Sequence, residues 1–184
     1  MVAGGVRQRL KDLLRREAVS YGDYVLSSGA HSTVYLDARL VTLSAAGSAL
    51  VGKAFLELLP VENLDAVAGL TLGADPIVTA IAVTSSATAH PLDACIVRKN
   101  RKEHGAGRRI EGPWRKGLRV AIVDDTLTTG SSALEAAQAV CEAGGRVVGI
   151  YALIDREEGA RGAIEAAGYP FESIFTAACL LDRG

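Results

Sequence analysis

Two hydrophobic periods organise the chain. Near its start, Val6, Leu10, Leu13 and Leu14 follow the i, i+4, i+7, i+8 spacing of an amphipathic helix, with Arg and Lys on the other face. From residue 65 onward, short apolar runs appear instead: Asp65-Ala-Val-Ala-Gly-Leu, Asp93-Ala-Cys-Ile-Val-Arg, the run 118–123 and the run 146–154. The last two are rich in β-branched residues and nearly unbroken, as expected of strands buried on both faces of a parallel sheet. Helical segments lie between them. Ser44 reads as the N-cap of a helix carrying Ala49, Leu56 and Leu59 on one side and ended by Pro60. Asp75-Pro76 reads as a second start, with a capping side chain and then proline at the first helical position. Residues 134–141 and 160–167 have helical periodicity, the latter closed by Gly168. Residues 24–40 read as a hairpin or two extended pieces around Ser28-Gly29, and 173–181 as a final extended segment. The pattern predicts an α/β fold with a mostly parallel, doubly wound central sheet flanked by helices.

Candidate chemistry concentrates at 119–133. The strand run ends in Asp124-Asp125, and Thr126, Leu127, Thr128, Thr129, Gly130, Ser131 and Ser132 lead into the next helix. A helix start presents backbone N–H groups without internal partners and the positive end of the macrodipole, so a small-residue loop there can close around a phosphate. The hydroxyls add donors. Neither Gly-Lys-Ser/Thr nor Gly-x-Gly-x-x-Gly is present, which argues against a triphosphate P-loop and a dinucleotide fold. Adjacent carboxylates would repel a phosphate but suit the two donor hydroxyls of a ribose. The competing reading is a structural strand end with an acidic turn.

A second strand feeds Thr71, Leu72, Gly73 and Ala74 and then the helix start at Asp75-Pro76, so another anion site is predicted on the same sheet edge. Two phosphate loops suggest a ligand with two phosphate groups. After the strand at 93–98, residues 100–113 show no hydrophobic period and contain three glycines, the pattern of a binding loop or lid. With Arg98, Lys99, Lys102 and His104, this loop could close over a polyanion as negative charge develops on it. Asp155-Arg156 lies at the C-terminal end of another strand, where open α/β sheets bind ligands. Arg156 is placed to meet a carboxylate by a bidentate pair, or to form a surface salt bridge with Glu157 or Glu158.

The segment V-D-D-T-L-T-T-G-S-S resembles the phosphoribosyl pyrophosphate (PRPP) signature of the type I phosphoribosyltransferases. R-K-N-R-K-E-H-G followed by I-E-G is similar to the catalytic loop of the orotate phosphoribosyltransferases, and Y-x-L-x-S-G…Y-x-D-x-R at 24–39 to their base-binding segment. The resemblance covers about residues 20–156. It implies that Asp124 and Asp125 hold the ribose and that the following loop, through Ser132, holds the 5′-phosphate. It also implies that residues 71–74 contact pyrophosphate, and that Arg98, Lys102 and His104 bind PRPP. Lys99 would act in a partner's site across a homodimer, and Thr128 and Arg156 would contact orotate. Lys102, Asp124 and Asp125 are then the catalytic set, with Mg²⁺ carried mainly by substrate rather than by protein ligands. Ser27 stands where some members have Lys. The fold implied is a single domain, residues 1–62 mainly a hood and 63–184 a PRPP-binding core.

The implied reaction converts orotate and PRPP to orotidine 5′-monophosphate and pyrophosphate. A transferase for a purine or another base, and a non-enzymatic PRPP-sensing regulator that binds nucleic acid, are the alternatives. At 184 residues with 49% hydrophobic and 22% charged residues the chain reads as one soluble domain. Its net charge of −1 hides a segment of +7 at 98–119 against −8 elsewhere, which suits a small polyanion better than a nucleic-acid surface. Within it, Arg115, Lys116 and Arg119 read as solvated charges. Cys95, Cys141 and Cys179 are widely spaced in apolar surroundings, so buried thiols are expected and no structural metal. The N-terminal stretch has no apolar run suited to a signal peptide or a membrane span, and the expected location is the cytoplasm.

Overall fold

The computed structural model describes residues 5–25, 31–99 and 109–182. The first amphipathic pattern becomes α1 (Val6–Glu17), which buries Leu10 and Leu14 completely. Two antiparallel strands follow, β1 (Val19–Val25) and β2 (His31–Leu36), forming a separate two-stranded sheet; the turn expected at Ser28-Gly29 falls outside the described residues. A short helix α2 (Arg39–Thr42) leads to α3 (Ala45–Leu58), where the Ser44 hydroxyl accepts from the Gly47 N–H at 3.0 Å, as its N-cap pattern requires. The buried stripe of α3 differs in part from expectation: Leu59 is buried and Leu56 packs partly against the core, but Ala49 is exposed and Leu50, Val51, Ala54 and Phe55 face inward. Those four lie at i, i+1, i+4 and i+5, so they form one inward face of the helix.

The central sheet collects the short apolar runs that begin at residue 65. It comprises β3 (Ala66–Leu70), β4 (Asp93–Val97), β5 (Ile110–Glu111), β6 (Arg119–Leu127), β7 (Arg146–Asp155) and β8 (Phe171–Thr176), in the order β5-β4-β3-β6-β7-β8. All pairs are parallel except β4 with β5. The crossovers are α4 (Asp75–Ser85), α5 (Ser131–Glu142) and α6 (Ala160–Ala166). Alternate residues separate the two faces: Val67, Ala121, Val123, Tyr151 and Leu153 pack with α1, α3 and α4, while Ala68, Val120, Ile122, Ile150 and Ala152 pack with α5 and α6. Both faces are covered, which is why these strands carry few polar positions.

Five further details depart from the sequence pattern. Ile110–Glu111 pairs with Ile96 and Val97, so the segment 100–113 is not wholly unpaired. Residues 177–181 are helical (α7, Ala177–Leu181), because the Thr176 hydroxyl accepts from the Cys179 N–H and caps a turn that the sequence reads as extended. Asp75 is the first residue of α4 rather than its cap, and its carboxylate accepts instead from the Thr71 hydroxyl at 2.7 Å. Cys95 is buried, but Cys179 is only partly so and Cys141 is exposed. Arg119 is not a free solvated charge: its guanidinium grips both oxygens of Asp65 at 3.0 and 3.1 Å and its N–H donates to the same carboxylate. That fork ties the entry of β3 to the entry of β6.

Gly69 lets β3 and β6 approach at their C-terminal ends. A Cβ there would stand 2.3 Å from the Val123 carbonyl oxygen and 2.2 Å from the Ala74 Cβ. We therefore expect Gly69→Ala to cost about 1–3 kcal/mol by overpacking, read as a fall in Tm of about 2–4 °C per kcal/mol. An unchanged Tm would show that the strand ends can part freely.

Candidate active site

The site is built where β3, β4 and β6 end. Gly73, in the loop after β3, backs directly onto Asp125: a Cβ at position 73 would lie 2.6 Å from its Oδ1. The two strand-to-helix loops predicted from sequence therefore meet. Between them lies a cavity of about 320 Å³, walled by Thr71, Leu72 and Gly73 from one loop and by Asp124, Asp125, Thr126 and Ser132 from the other. Lys99 and Arg39 close its rim. The Thr71–Leu72 peptide is cis.

β6 continues through the polar residues 124–126 to Leu127, since its backbone keeps pairing with β7 through Asp124, Thr126 and Leu127. This holds the acidic pair on a strand rather than a loop. Asp124 is 5% exposed. Its Oδ2 accepts from the Ser132 hydroxyl at 2.7 Å and its Oδ1 from the Asp125 N–H at 2.9 Å. Burial pushes its carboxyl above the ordinary 3.8; the Ser132 bond works against that and the neighbouring Asp125 charge adds to it. Asp125 is raised as well, again by burial, and opposed by the Thr126 N–H and by the Arg39 charge. Thr126 Oγ1 is buried with no hydrogen-bond partner among the described residues. A buried unpaired hydroxyl beside a cavity is an unmet bonding capacity that a polar ligand can satisfy.

Other residues predicted from sequence take different places. Leu127 turns its side chain into the core, Gly130 (φ 81°) turns the chain into α5, and Thr128, Thr129 and Ser131 are exposed at that helix start. Ala74 is fully buried behind its loop, so only its backbone can serve a ligand. Thr128 and Arg156 sit on the other side of β6 from the cavity's β3 wall: the Thr128 carbonyl accepts from the Ala160 N–H and the Arg156 N–H donates to the Leu127 carbonyl, both at 2.9 Å. The Arg156 guanidinium pairs with Glu158 at 2.8 Å. Arg98 lies in a neighbouring cleft with Lys99, Thr71 and Asp75, and pairs with Glu111 at 3.3 Å. Lys102, His104 and Ser27 lie outside the described residues. Arg39, which the sequence placed within a segment resembling a base-binding one without singling it out, lines the cavity. Its signal was the D-x-R spacing, which lets Arg39 fold back on Asp37 with contacts of 2.8 and 3.0 Å.

Comparison with known proteins gives a consistent answer. The orotate phosphoribosyltransferase of Tropheryma whipplei (strain Twist) is 42% identical over 180 residues, spanning 97% of this chain and 84% of that protein. The chain belongs to the orotate phosphoribosyltransferase family. No family model matches the chain. Among solved structures, orotate phosphoribosyltransferase of Mycobacterium tuberculosis H37Rv in complex with Fe(III) dicitrate is 45% identical with a TM-score of 0.86, covering 96% of this chain and 99% of that one. The same enzyme in complex with PRPP is 43% identical with a TM-score of 0.81, covering 95% and 98%. As an orotate phosphoribosyltransferase family member the chain has the type I phosphoribosyltransferase fold, with the acidic strand end and the glycine loop facing one another. Among the described residues no helix is long and apolar enough to cross a membrane, and no cluster of three acidic, His or Cys side chains could hold a metal ion.

Because folding keeps Asp124 and Asp125 protonated to higher pH than the unfolded chain does, the folded state binds more protons, and this pair's contribution to stability falls as pH rises above about 4. Asp124→Asn removes the charge but keeps the shape. In the ligand-free protein its Tm should match wild type near pH 4 and exceed it at pH 8, by about 2–4 °C per kcal/mol recovered. Parallel Tm–pH curves for the two proteins would contradict this account.

Proposed function

We propose that the chain transfers the phosphoribosyl group of PRPP to orotate, giving orotidine 5′-monophosphate and pyrophosphate in pyrimidine biosynthesis. The observation that carries the reading is the acidic pair at the end of β6 facing the loop after β3 across one cavity. In this reading Asp124 and Asp125 accept from the ribose hydroxyls and hold the sugar as positive charge grows at its anomeric carbon. Two donor hydroxyls are what a desolvated carboxylate pair lacks. The α5 N-terminus, with Thr128–Ser132 before and within its first turn, takes the 5′-phosphate, and Thr126 Oγ1 gains a partner. Residues 71–74 face the diphosphate. Arg98, Lys102 and His104 stabilise its departure by charge, and no covalent nucleophile is required.

On the other side of β6, Thr128 and Arg156 receive orotate, the guanidinium exchanging Glu158 for the substrate carboxylate. The donor set fits a substrate-borne Mg²⁺: two adjacent carboxylates, already partly satisfied by Ser132 and backbone N–H groups, offer too few oxygens for a closed site. When bound, the ion neutralises phosphate charge. We further infer that the chain works in the cytoplasm as a homodimer in which Lys99 serves the partner's site. Exposed Leu43 and Leu72, which line one open groove beside the cavity, support an association surface. Within one copy Lys99 also lines its own cavity, so the partner role rests on the family resemblance alone.

The test is pyrophosphate release from PRPP and Mg²⁺ with orotate, uracil, adenine, hypoxanthine and xanthine in parallel. Release with orotate alone is expected; release with a purine would overturn the base assignment. Arg156→Ala should raise KM for orotate about 10–100-fold, the scale of a lost charge-assisted pair, while KM for PRPP moves little. Lys102→Ala should lower kcat far more than it weakens PRPP binding, and an unchanged kcat would remove the loop from the mechanism.

A further inference from the structure

Arg39 comes from the helix start that follows the two-stranded sheet, yet it stands on the rim of the cavity walled by Leu72, Gly73 and Asp125. One edge of its guanidinium is held: Nε and Nη2 donate to Asp37 at 2.8 and 3.0 Å, and the Arg39 N–H donates to the same carboxylate at 3.1 Å. That fork fixes the plane of the group and, among the described residues, leaves the Nη1 edge for a second acceptor. Arg39 is partly exposed, but it lines the same cavity as Asp125 and is near enough that each affects the other's ionisation.

Sheet order says which end of a ligand it meets. The β3 end lies on one side of β6 and the β7 end, with Arg156, on the other. Arg39 shares its cavity with the β3 loop, and neither Thr128 nor Arg156 lines that cavity. Resting on the proposed reaction, we infer that Arg39 is a diphosphate-binding residue, donating from its Nη1 edge to the phosphoryl oxygens that leave as pyrophosphate. Asp37 is the positioning residue that aims it. The pair is neutral overall when no ligand is bound. A diphosphate beside it adds negative charge that the second edge of the same guanidinium can meet without moving the first.

The test separates ligand moieties. Pyrophosphate and ribose 5-phosphate are the two non-overlapping parts of PRPP, so calorimetric binding of each to wild type, R39Q, R39K and D37N reads its two ends separately. In R39Q the Kd for pyrophosphate with Mg²⁺ should rise about 10–100-fold, the scale of a lost bond to a charged group, with ribose 5-phosphate binding unchanged. R39K, which keeps the charge without the fork, should recover only part of the loss. D37N should weaken pyrophosphate by a smaller factor at unchanged Tm, which a merely structural role for Asp37 would not produce. If R39Q and R39K bind pyrophosphate as wild type does, or if KM for orotate rises instead, the inference is overturned. These binding measurements do not depend on which base is the acceptor, so failure of the orotate reading would show separately in the base panel.

Discussion

The desolvation of two adjacent carboxylates at the end of β6 is the constraint around which the rest of the structure is arranged. A buried pair of like charges is costly, and the protein lowers that cost with specific donors: Ser132 from the first turn of α5, the Asp125 and Thr126 N–H groups, and Arg39 at a distance. Each donor fixes an element. The Ser132 bond sets how close α5 must start to the strand end, so the helix N-terminus is delivered to the same cavity that the carboxylates line. The Gly69 and Gly73 approaches bring the second loop against the first. What remains of the cost is available to a ligand that brings hydroxyl donors, and a ribose does so.

Sheet order then assigns direction. Because β3 and β7 flank β6, a ligand held at the acidic pair has one end over the β3 loop and the other toward Arg156. In the proposed reaction these are leaving group and incoming base, which must lie on opposite faces of the anomeric carbon for displacement. The crevice outside the carboxyl ends of parallel strands supplies that separation without further devices.

Much of this was legible in the chain because burial on both faces enforces apolar strands, and because Asp124-Asp125 followed by small residues has few structural excuses. β6, β7, α1, α5 and the Ser44 cap follow their patterns. What was hidden depended on partners distant in sequence or on backbone pairing. The last four residues of β6 are mostly polar, and only their pairing with β7 keeps them extended. Arg119 looks solvated until Asp65 is brought beside it. The turn capped by Thr176 and the short strand β5 carry too few residues for any period to show. Arg39 was hidden differently: its D-x-R spacing is visible, but nothing local says that the helix start after β2 reaches over the β3 loop.

The two arginines that the proposed reaction sets at either end of its ligand share one arrangement. Arg39 is paired with Asp37 and Arg156 with Glu158, each two residues away and each partly exposed. Such pairs contribute little to stability, about 0–1 kcal/mol, so stability alone is a weak reason for them. Their value lies in geometry and charge balance. An acid two residues off orients the guanidinium at small entropic cost and keeps the site near neutral before ligand arrives. The difference between them follows from what they meet. Arg39 uses both Nε and Nη2 on Asp37 and keeps that fork while offering its other edge, whereas Arg156 makes a single contact through Nε and must release Glu158 to present a full fork to a carboxylate. In the proposed reaction that exchange costs little because the displaced bond is weak and Glu158 returns to water, so the base end of the site would gain specificity for a carboxylate without carrying an uncompensated buried cation.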